Sequence, residues 1–356
     1  MAIVFVDSNG AGEGFVKILR EKGYKETPRY PIYPGDQSVL FMNATITPLK
    51  PEMNSGILSG KTCQMQRCFR ATGEKPYLFG FSMVGAVVEY AHLPSAFQDC
   101  IEAVLGMAKG LKITDLVSVI DQRDGDLIAA SRKAGIRAIL RTEKDVRFPG
   151  YGTRWKYGDD CRLTGRGLTL VSHDNLDFHL GNVIVVEGPV QNYVEIAFGV
   201  EVLQSLEFGF DLYELPELKQ IQRIFSSLGF DESAAKDLTN LERGISWLVR
   251  DGVTVGNRGA GYILRKFTRK YVELISRDVC AIELEERLRE VIQDQSILKT
   301  VLTDGLPRFL RENQRVALAE KFLKKSQTKE SLSPERLVDT FGIGYDMAVK
   351  ILKRAA

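Results

Sequence analysis

Two arginines near the start of the chain have the setting of an anion-binding site. Arg67 and Arg70 lie in the run QMQRCFR (64–70), which breaks at Gly73 into a polar turn carrying Lys75. Because side chains three residues apart point to opposite faces of a strand, at most one of these arginines can enter a given cleft. A guanidinium on a rigid strand suits a phosphate, since it is planar and always charged. An ordinary surface hairpin with solvated charges is the alternative interpretation.

A second basic segment follows a cluster of glycines. Three glycines lie within six residues of DGVTVGNRGAGYILRKFTRKYVEL (251–274), and apolar residues then recur at helical spacing. The cations beside this apolar stripe are Arg265, Lys266, Arg269 and Lys270. A glycine-rich turn before a helix can bind an anion through backbone N–H groups. Neither a P-loop nor a Rossmann fingerprint is present, and a solvated basic helix face is the alternative.

Other kinds of chemistry find little support in the sequence. Asp159 and Asp160 stand together in the loop WKYGDDCRLTGRG (155–167), but without further acids at regular spacing they do not predict a metal site. The three histidines form no HExxH or HxxxH motif, which argues against a zinc hydrolase. The five cysteines are scattered and form no CxxC pair, so neither a disulfide framework nor a structural zinc site is predicted.

The elements that must position these residues change type along the chain. Strands are predicted for SVLFMNATI (38–46), LVSVID, IRAILRT, VIVVEGP and YVEIAFGV, and helices for VKILREKGYK and GDLIAASRKAG. From about Pro216 onward the pattern is one of successive amphipathic helices, the last of which begins with Ser333 as N-cap and Pro334. We therefore predict a domain built on one main sheet over residues 1–212 and a helical domain over 213–356.

Charge is distributed unevenly between these two parts. The net charge of the 356 residues is +2, but residues 213–356 hold 25 Lys/Arg against 21 Asp/Glu, or +4. Residues 250–277 alone contain seven basic and two acidic side chains, which favours contact with nucleic acid. The sequence has no run of eighteen apolar residues and no basic region before the apolar start of the chain, so we predict a cytoplasmic protein.

Six segments, in the same order along the chain, resemble the alanyl-tRNA synthetase family. They are SVLFMNATITPLK (38–50), KTCQMQRCFRATGEKPYL (61–78), WKYGDDCRLTG (155–165), YVEIAFGVEVLQSL (193–206), DGVTVGNRGAGYILRKFTRK (251–270) and LVDTFGIGYDM (337–347). Their counterparts in the family are TLLFTNAGMNQFK, the motif 2 segment TSQRCVRAGGKHNDL, the WxMGDTGPCGP loop, the motif 3 segment SVDTGMGLERLVSVLQ, DGVxPSNxxRGYVLRRIIRR and LYDTYGFPVDL. The resemblance implies an α+β fold: a class II synthetase antiparallel sheet with flanking helices, then an all-helical domain that recognises tRNA.

The resemblance also implies roles for residues in the first domain. Arg70 matches the motif 2 arginine, which binds the α-phosphate of ATP, and Lys75 takes the place of the lysine in the motif 2 loop. Trp155 matches the active-site tryptophan, and Asn182 matches an asparagine near the amino-acid pocket. Glu195 replaces the aspartate that holds the α-ammonium group of the substrate. ATP with Mg²⁺ is the cofactor that such a site implies.

In the second domain, the resemblance implies contact with the acceptor stem of a tRNA, most specifically tRNA-Ala. Asn257 and Asp339 match the two residues that flank the G·U wobble pair of that stem. The cations Arg265, Lys266, Arg269 and Lys270 would then face phosphates.

Several positions depart from the family pattern. Val202 stands where motif 3 has the arginine that contacts adenine and the γ-phosphate, and Ala197 replaces the glycine that floors the alanine pocket. Residues 85–97 are largely rewritten. The candidate cations to replace the motif 3 arginine are Arg154, Arg162 and Arg166. Loss of one charged donor would weaken transition-state stabilisation by several kcal/mol.

Three functions are compatible with this pattern of matches and departures. The first is ATP-dependent activation of alanine or a similar small amino acid and its transfer to tRNA. The second is a catalytically impaired paralogue that binds tRNA in a regulatory or accessory role. The third is an amino-acid adenylating ligase with a non-tRNA acceptor. The sequence does not indicate the oligomeric state.

Overall fold

The computed structural model describes residues 9–34, 39–71, 78–108, 110–142, 154–157, 162–276, 283–292, 294–325 and 333–355. These residues form two compact units, and the division between the units falls after Gly252. Residues 213–252, which the sequence-based boundary places in the helical domain, belong to the first unit. The domain boundary at 212/213 stays a prediction.

The first unit is built on one mixed, mainly antiparallel sheet. Its strands are β1 (Lys25–Glu26), β2 (Lys61–Phe69), β3 (Gly80–Glu89), β4 (Leu116–Asp121), β5 (Arg137–Arg141), β6 (Arg154–Lys156), β7 (Thr164–Ser172), β8 (His179–Glu187) and β9 (Asn192–Gly199). The strand order is β1-β2-β3-β9-β8-β7-β4-β5, with β6 paired to β7. Among the strand pairs that the structure describes, only the edge pairs β1–β2 and β4–β5 are parallel.

Helices pack on both faces of this sheet. The helices of the first unit are α1 (Asn9–Glu21), α2 (Lys50–Ser55), α3 (Leu93–Met107), α4 (Gly125–Lys133), α5 (Val200–Ser205), α6 (Pro216–Ser227) and α7 (Glu232–Arg250). Because strand side chains alternate, Val194, Ile196 and Phe198 of β9 point to one face, where they pack in the core with Phe15 of α1 and Phe97 of α3. The alternate residues of β9, Glu195 and Ala197, therefore point to the opposite face.

The predicted strand over residues 38–46 is wrong. The described part of this segment, from residue 39, contains no strand, and a short 3-10 turn (Thr47–Leu49) that leads into α2 follows it. Its apolar residues Phe41, Met42 and Ile46 are buried, because the segment packs against the sheet as irregular chain. Burial of this kind gives the same run of apolar letters as a buried strand.

The second unit contains helices and no strand among its described residues. Its helices are α8 (Gly259–Ile275), α9 (Leu284–Val291), α10 (Gln295–Thr300), α11 (Leu306–Lys325), α12 (Pro334–Phe341) and α13 (Tyr345–Ala355), with a π-helical turn, Val301–Gly305, before α11. The Ser333 side chain accepts a hydrogen bond from the Arg336 N–H, which confirms the predicted N-cap of α12. The predicted fold class, α+β with an antiparallel sheet and flanking helices followed by helices alone, is confirmed. No helix of the described residues is long and apolar enough to cross a membrane.

Candidate functional site

Strand pairing brings three of the predicted site residues together on the face of the sheet opposite α1 and α3. Asn182 of β8 lies opposite Ala197 of β9, and Glu195 lies opposite Ile184 in the same ladder. Gly85 of β3 pairs with Ala197 from the other side. A Cβ at Gly85 would collide with the Ile196 carbonyl and crowd the Thr45 hydroxyl, so glycine is required where the irregular segment crosses the sheet.

A cavity of about 360 Å³ opens beside this row of residues. Its lining includes Arg70, Phe81, Met83, His179, Asn182, Ala197, Glu201 and Val202. The Arg70 guanidinium lies 4.9 Å from the centroid of the Phe81 ring, and its Nη2 donates to the Asn43 carbonyl at 3.0 Å. A cation beside an aromatic ring suits a ligand that has both an anionic group and a flat group.

Arg67 points away from this cavity, as strand alternation requires. Its Nη2 is 3.2 Å from Asp251 Oδ1, and its guanidinium lies 5.7 Å from the centroid of the Trp247 ring. Of the two arginines singled out in the sequence, only Arg70 lines the cavity.

The Asn182 carboxamide has a fixed orientation. His179 Nε2 lies 3.2 Å from the Gly181 carbonyl oxygen, which can only accept, so Nε2 carries the proton. The same N–H then donates to Asn182 Oδ1 at 3.1 Å, and the Thr169 hydroxyl donates to that oxygen at 3.1 Å. Two donors on Oδ1 leave the Asn182 amide N–H groups to act as donors. Burial lowers the pKa of His179 and the Arg70 charge lowers it further, so the ring is neutral at neutral pH.

Glu195 is almost completely buried and is surrounded by donors. Its Oε1 accepts from the Thr45 hydroxyl at 3.2 Å and from the Ile46 N–H at 3.3 Å, and its Oε2 accepts from the Tyr157 hydroxyl at 3.0 Å. Burial raises the pKa of the Glu195 carboxyl, against the opposing effect of these hydrogen bonds and of the Lys50 charge. Trp155 packs nearby, and a Cβ at Gly167 would lie 3.0 Å from its ring. Neither Glu195 nor Trp155 belongs to the described lining of the cavity.

The three arginines proposed to replace the motif 3 arginine, Arg154, Arg162 and Arg166, are absent from the described lining of the cavity, which includes Val202. Arg154 makes two hydrogen bonds to Asp124, and Arg166 makes two to Asp126. The neighbouring Glu201 is held by buried Arg243, with 2.5 Å between Nη2 and Oε1, and by the Ser82 N–H. Burial raises the pKa of Glu201, and the Arg243 charge opposes that effect.

Two predicted features lie outside the described residues. Lys75 falls in the segment 72–77, and Asp159 and Asp160 fall in 158–161. Within the described ranges there is no cluster of three or more His, Cys, Asp or Glu side chains that could hold a metal ion. No residue is therefore assigned to Mg²⁺.

The second unit contains a cationic groove of about 670 Å³. Its lining is Tyr262, Arg265, Lys266 and Arg269 from α8, Arg308, Arg311, Glu312 and Arg315 from α11, and Gly342, Ile343 and Gly344 from the turn between α12 and α13. Six cations and one acid thus line it. Helical spacing at 308, 311 and 315 places the three α11 arginines on one helix face.

Three of the predicted RNA-facing residues, Arg265, Lys266 and Arg269, belong to the described lining of this groove, whereas Asn257 and Asp339 do not. Arg265 donates to Asn257 Oδ1 and lies 5.1 Å from the centroid of the exposed Tyr262 ring. Asp339 is exposed on α12, whose following residue Gly342 accepts from Arg315 at 3.3 Å. Lys270 is not among the lining residues and pairs with Glu273 instead.

Comparison with known proteins gives consistent relatives along nearly the whole chain. The chain is 23% identical to "Alanine--tRNA ligase" of Thermotoga maritima, over 98% of this chain and 47% of that protein. It is 21% identical to "Alanine--tRNA ligase" of Thermoanaerobacter sp. (strain X514), over 98% of this chain and 46% of that protein. The chain is thus similar to alanine–tRNA ligases along nearly its whole length. It spans about half the length of these relatives.

Two other comparisons add less to this relationship. No family profile matches the chain. Among solved structures, apo S. aureus histidyl-tRNA synthetase aligns with a TM-score of 0.36 and 15% identity, over 58% of this chain and 66% of that one.

Four features of these sites were missed in the sequence. Phe81 and His179 line the cavity, Tyr157 caps Glu195, and the arginines of α11 form one wall of the groove. The spacing of the α11 arginines was a readable signal of a basic helix face. The other contacts join residues far apart in the chain and carry no local signal.

Proposed function

We propose that this protein binds the acceptor stem of a tRNA through its helical unit. The single observation that carries the proposal is the groove with six cations on two opposing helices. Phosphate neutralisation supplies much of the affinity of RNA-binding proteins, and arginine forks match phosphate oxygens. The names of the relatives, alanine–tRNA ligases, support tRNA as the RNA.

The charges in the groove are arranged to meet an external anion. The structure gives Lys266 and Arg311 no hydrogen-bond or ion-pair partner among the described residues. Arg269 and Arg308 each pair with one carboxylate, of Glu312 and Asp304. The exposed Tyr262 ring beside Arg265 adds a stacking surface of the kind that favours nucleic acid over an acidic peptide.

In this proposal, Asn257 and Asp339 are the residues that recognise bases of the RNA. Arg265 occupies the Asn257 carboxamide oxygen, which leaves the amide N–H groups to donate to a base edge. Asp339 is exposed and can accept from one. A donor and an acceptor of this kind suit the two sides of a G·U pair, as the resemblance implies.

Binding of an RNA hairpin that reproduces the acceptor stem of tRNA-Ala tests this proposal. The affinity of the full chain should fall steeply with salt, and Arg311→Ala should reduce the slope of log K against log salt by about one. Lys299→Ala, which removes an exposed cation outside the groove, is the matched control and should leave the slope unchanged. Affinity that does not depend on salt would refute the proposal.

The second candidate is ATP-dependent activation of alanine or a similar small amino acid, followed by transfer to tRNA. The placement of Arg70 over Phe81 favours it, since an ATP phosphate and adenine need a cation and a flat apolar surface. ATP–pyrophosphate exchange with small amino acids, with and without tRNA, tests it. Exchange without tRNA charging would indicate a ligase with another acceptor, and exchange by Arg70→Ala at the wild-type rate would refute the placement of the site.

A further inference from the structure

Two departures from the alanyl-tRNA synthetase motifs meet in one hydrogen bond. Tyr157 stands where the WxMG motif has methionine, and Glu195 stands where motif 3 has aspartate. The Tyr157 hydroxyl donates to Glu195 Oε2 at 3.0 Å. The longer carboxylate and the new hydroxyl therefore form an internal pair at the position that, by the resemblance, would hold the α-ammonium group of a substrate.

Glu195 has three protein donors and little surface left for a ligand. Thr45 and the Ile46 N–H occupy Oε1, Tyr157 occupies Oε2, and only 3% of the residue is exposed. An ammonium ion would have to displace one of these donors and lose its hydration in doing so.

Lys50 holds Tyr157 in place and adds a positive charge. Its Nζ donates to the Tyr157 carbonyl at 3.1 Å and lies 5.7 Å from the centroid of the Tyr157 ring. The Lys50 charge acts on Glu195 and already compensates that carboxylate in part. A second cation at the same carboxylate would meet like-charge repulsion.

The cavity itself offers donors and cations rather than free acceptors. Arg70 and the Asn182 amide N–H groups line it. Glu201, the one carboxylate in its described lining, is bound by Arg243 and the Ser82 N–H. The described side chains of this lining therefore stabilise phosphate and carboxylate groups and include no carboxylate that lacks a cationic partner for an ammonium group to use.

We propose that the Tyr157 hydroxyl occupies the position where an α-ammonium group would bind. The cavity then binds a nucleotide together with a carboxylic acid, and it prefers an acid that lacks the α-ammonium group to an α-amino acid. In the corresponding activation step, a carboxylate oxygen forms a bond to the α-phosphorus of ATP while the bond to pyrophosphate breaks. This inference rests on the proposed nucleotide site and replaces the small amino acid of the second candidate function with an acid that lacks the ammonium group. It does not depend on RNA binding.

Two stable acyl-adenylate analogues that differ only in the ammonium group provide the test. They are the sulfamoyl adenosines of propionate and of alanine, with binding to the full chain measured by titration calorimetry. Wild type should bind the propionyl analogue at least about ten-fold more tightly, and Tyr157→Phe should reduce that preference by about ten-fold, since it removes a hydrogen bond to a charged group. Equal affinities in wild type, or a preference unchanged in Tyr157→Phe, would overturn the inference.

Tyr24→Phe is the matched control. It also removes a buried tyrosine hydroxyl that donates to a carboxylate at 3.0 Å, here Asp99, on the helical side of the sheet. It should keep the wild-type preference. Lys50→Met removes the positive charge and leaves the Tyr157 hydroxyl. It should also reduce the preference for the propionyl analogue, so the inference can still be tested if Tyr157→Phe is too unstable to measure. Binding of neither analogue would refute the nucleotide site and this inference with it, whereas RNA binding would be unaffected.

Discussion

Arg269 on α8 and Glu312 on α11 form an ion pair, with 3.3 Å between Nη1 and Oε2, that links the two walls of the cationic groove. Glu312 is the one acidic side chain in the described lining. Both side chains are partly exposed, so the pair contributes little to stability, about 0–1 kcal/mol. Its main consequence is electrostatic, because the carboxylate offsets one of the cations that would otherwise face an anion.

Glu312→Gln should therefore strengthen RNA binding. Loss of the carboxylate frees Arg269 for a phosphate, so we expect a several-fold gain in affinity at low salt and a slope of log K against log salt that is steeper by about one. Filter binding of an acceptor-stem hairpin over a range of salt concentrations measures both. Glu273→Gln, which breaks the exposed Lys270–Glu273 pair outside the groove, is the control. Weaker binding by Glu312→Gln would contradict this account of the groove.

His179 should act as a positioning residue for Asn182. His179→Phe keeps an aromatic ring but removes the donor to Oδ1, so the carboxamide can rotate, and we expect binding of an acyl-adenylate analogue to weaken by about ten-fold. His179→Gln retains a donor and should restore most of the affinity. Calorimetric titration measures the effect, and equal losses in both variants would indicate a packing role only.

Some features of the first unit can be predicted from sequence patterns and others cannot. The alternation in YVEIAFGV predicts that Glu195 and Ala197 share a face, and β9 has that arrangement. The apolar run at 38–46 was misassigned because its residues are buried by packing over the sheet and not by strand pairing. The Tyr157–Glu195 bond joins residues 38 positions apart, and only the fold determines that they meet.

The cationic groove could likewise be predicted only in part from the sequence. The cations of α8 were evident as a basic band, and the structure lines the groove with Arg265, Lys266 and Arg269. Helical spacing alone does not tell which helix faces them. The contribution of α11 depends on tertiary packing between elements that are distant in sequence, which helical periodicity does not encode.

The buried pair of Arg243 and Glu201 should be a large contributor to stability when only one partner is removed. Both side chains are almost fully buried, and Arg243 also donates to the Gly80 carbonyl at 2.9 Å. Arg243→Met leaves an uncompensated carboxylate, so the free energy of unfolding should fall by about 3–5 kcal/mol. Urea denaturation measures it.

A surface pair and a double variant control that experiment. Arg289→Met breaks a pair with Glu285 in which both side chains are more than half exposed, and it should cost less than about 1 kcal/mol. Combining Arg243→Met with Glu201→Leu removes both charges and should recover much of the stability. A double variant as unstable as the single one would show that shape, not charge, dominates at this position.

Glu195 should make the stability of the protein depend on pH in a defined direction. Burial raises the folded-state pKa of its carboxyl above the ordinary value. Between the ordinary and the raised pKa, the folded state holds a proton that the unfolded state has released, so this group's contribution to the free energy of unfolding falls as pH rises through that window. Glu195→Gln keeps an acceptor for Thr45 and Ile46 and has nothing to titrate. The difference in free energy of unfolding, wild type minus Glu195→Gln, should therefore decrease from pH 4 toward neutral pH in urea titrations.

Because the Tyr157 hydroxyl lowers the pKa of Glu195, Tyr157→Phe should extend the decrease to higher pH. A difference that is constant with pH would show that Glu195 is not the group responsible.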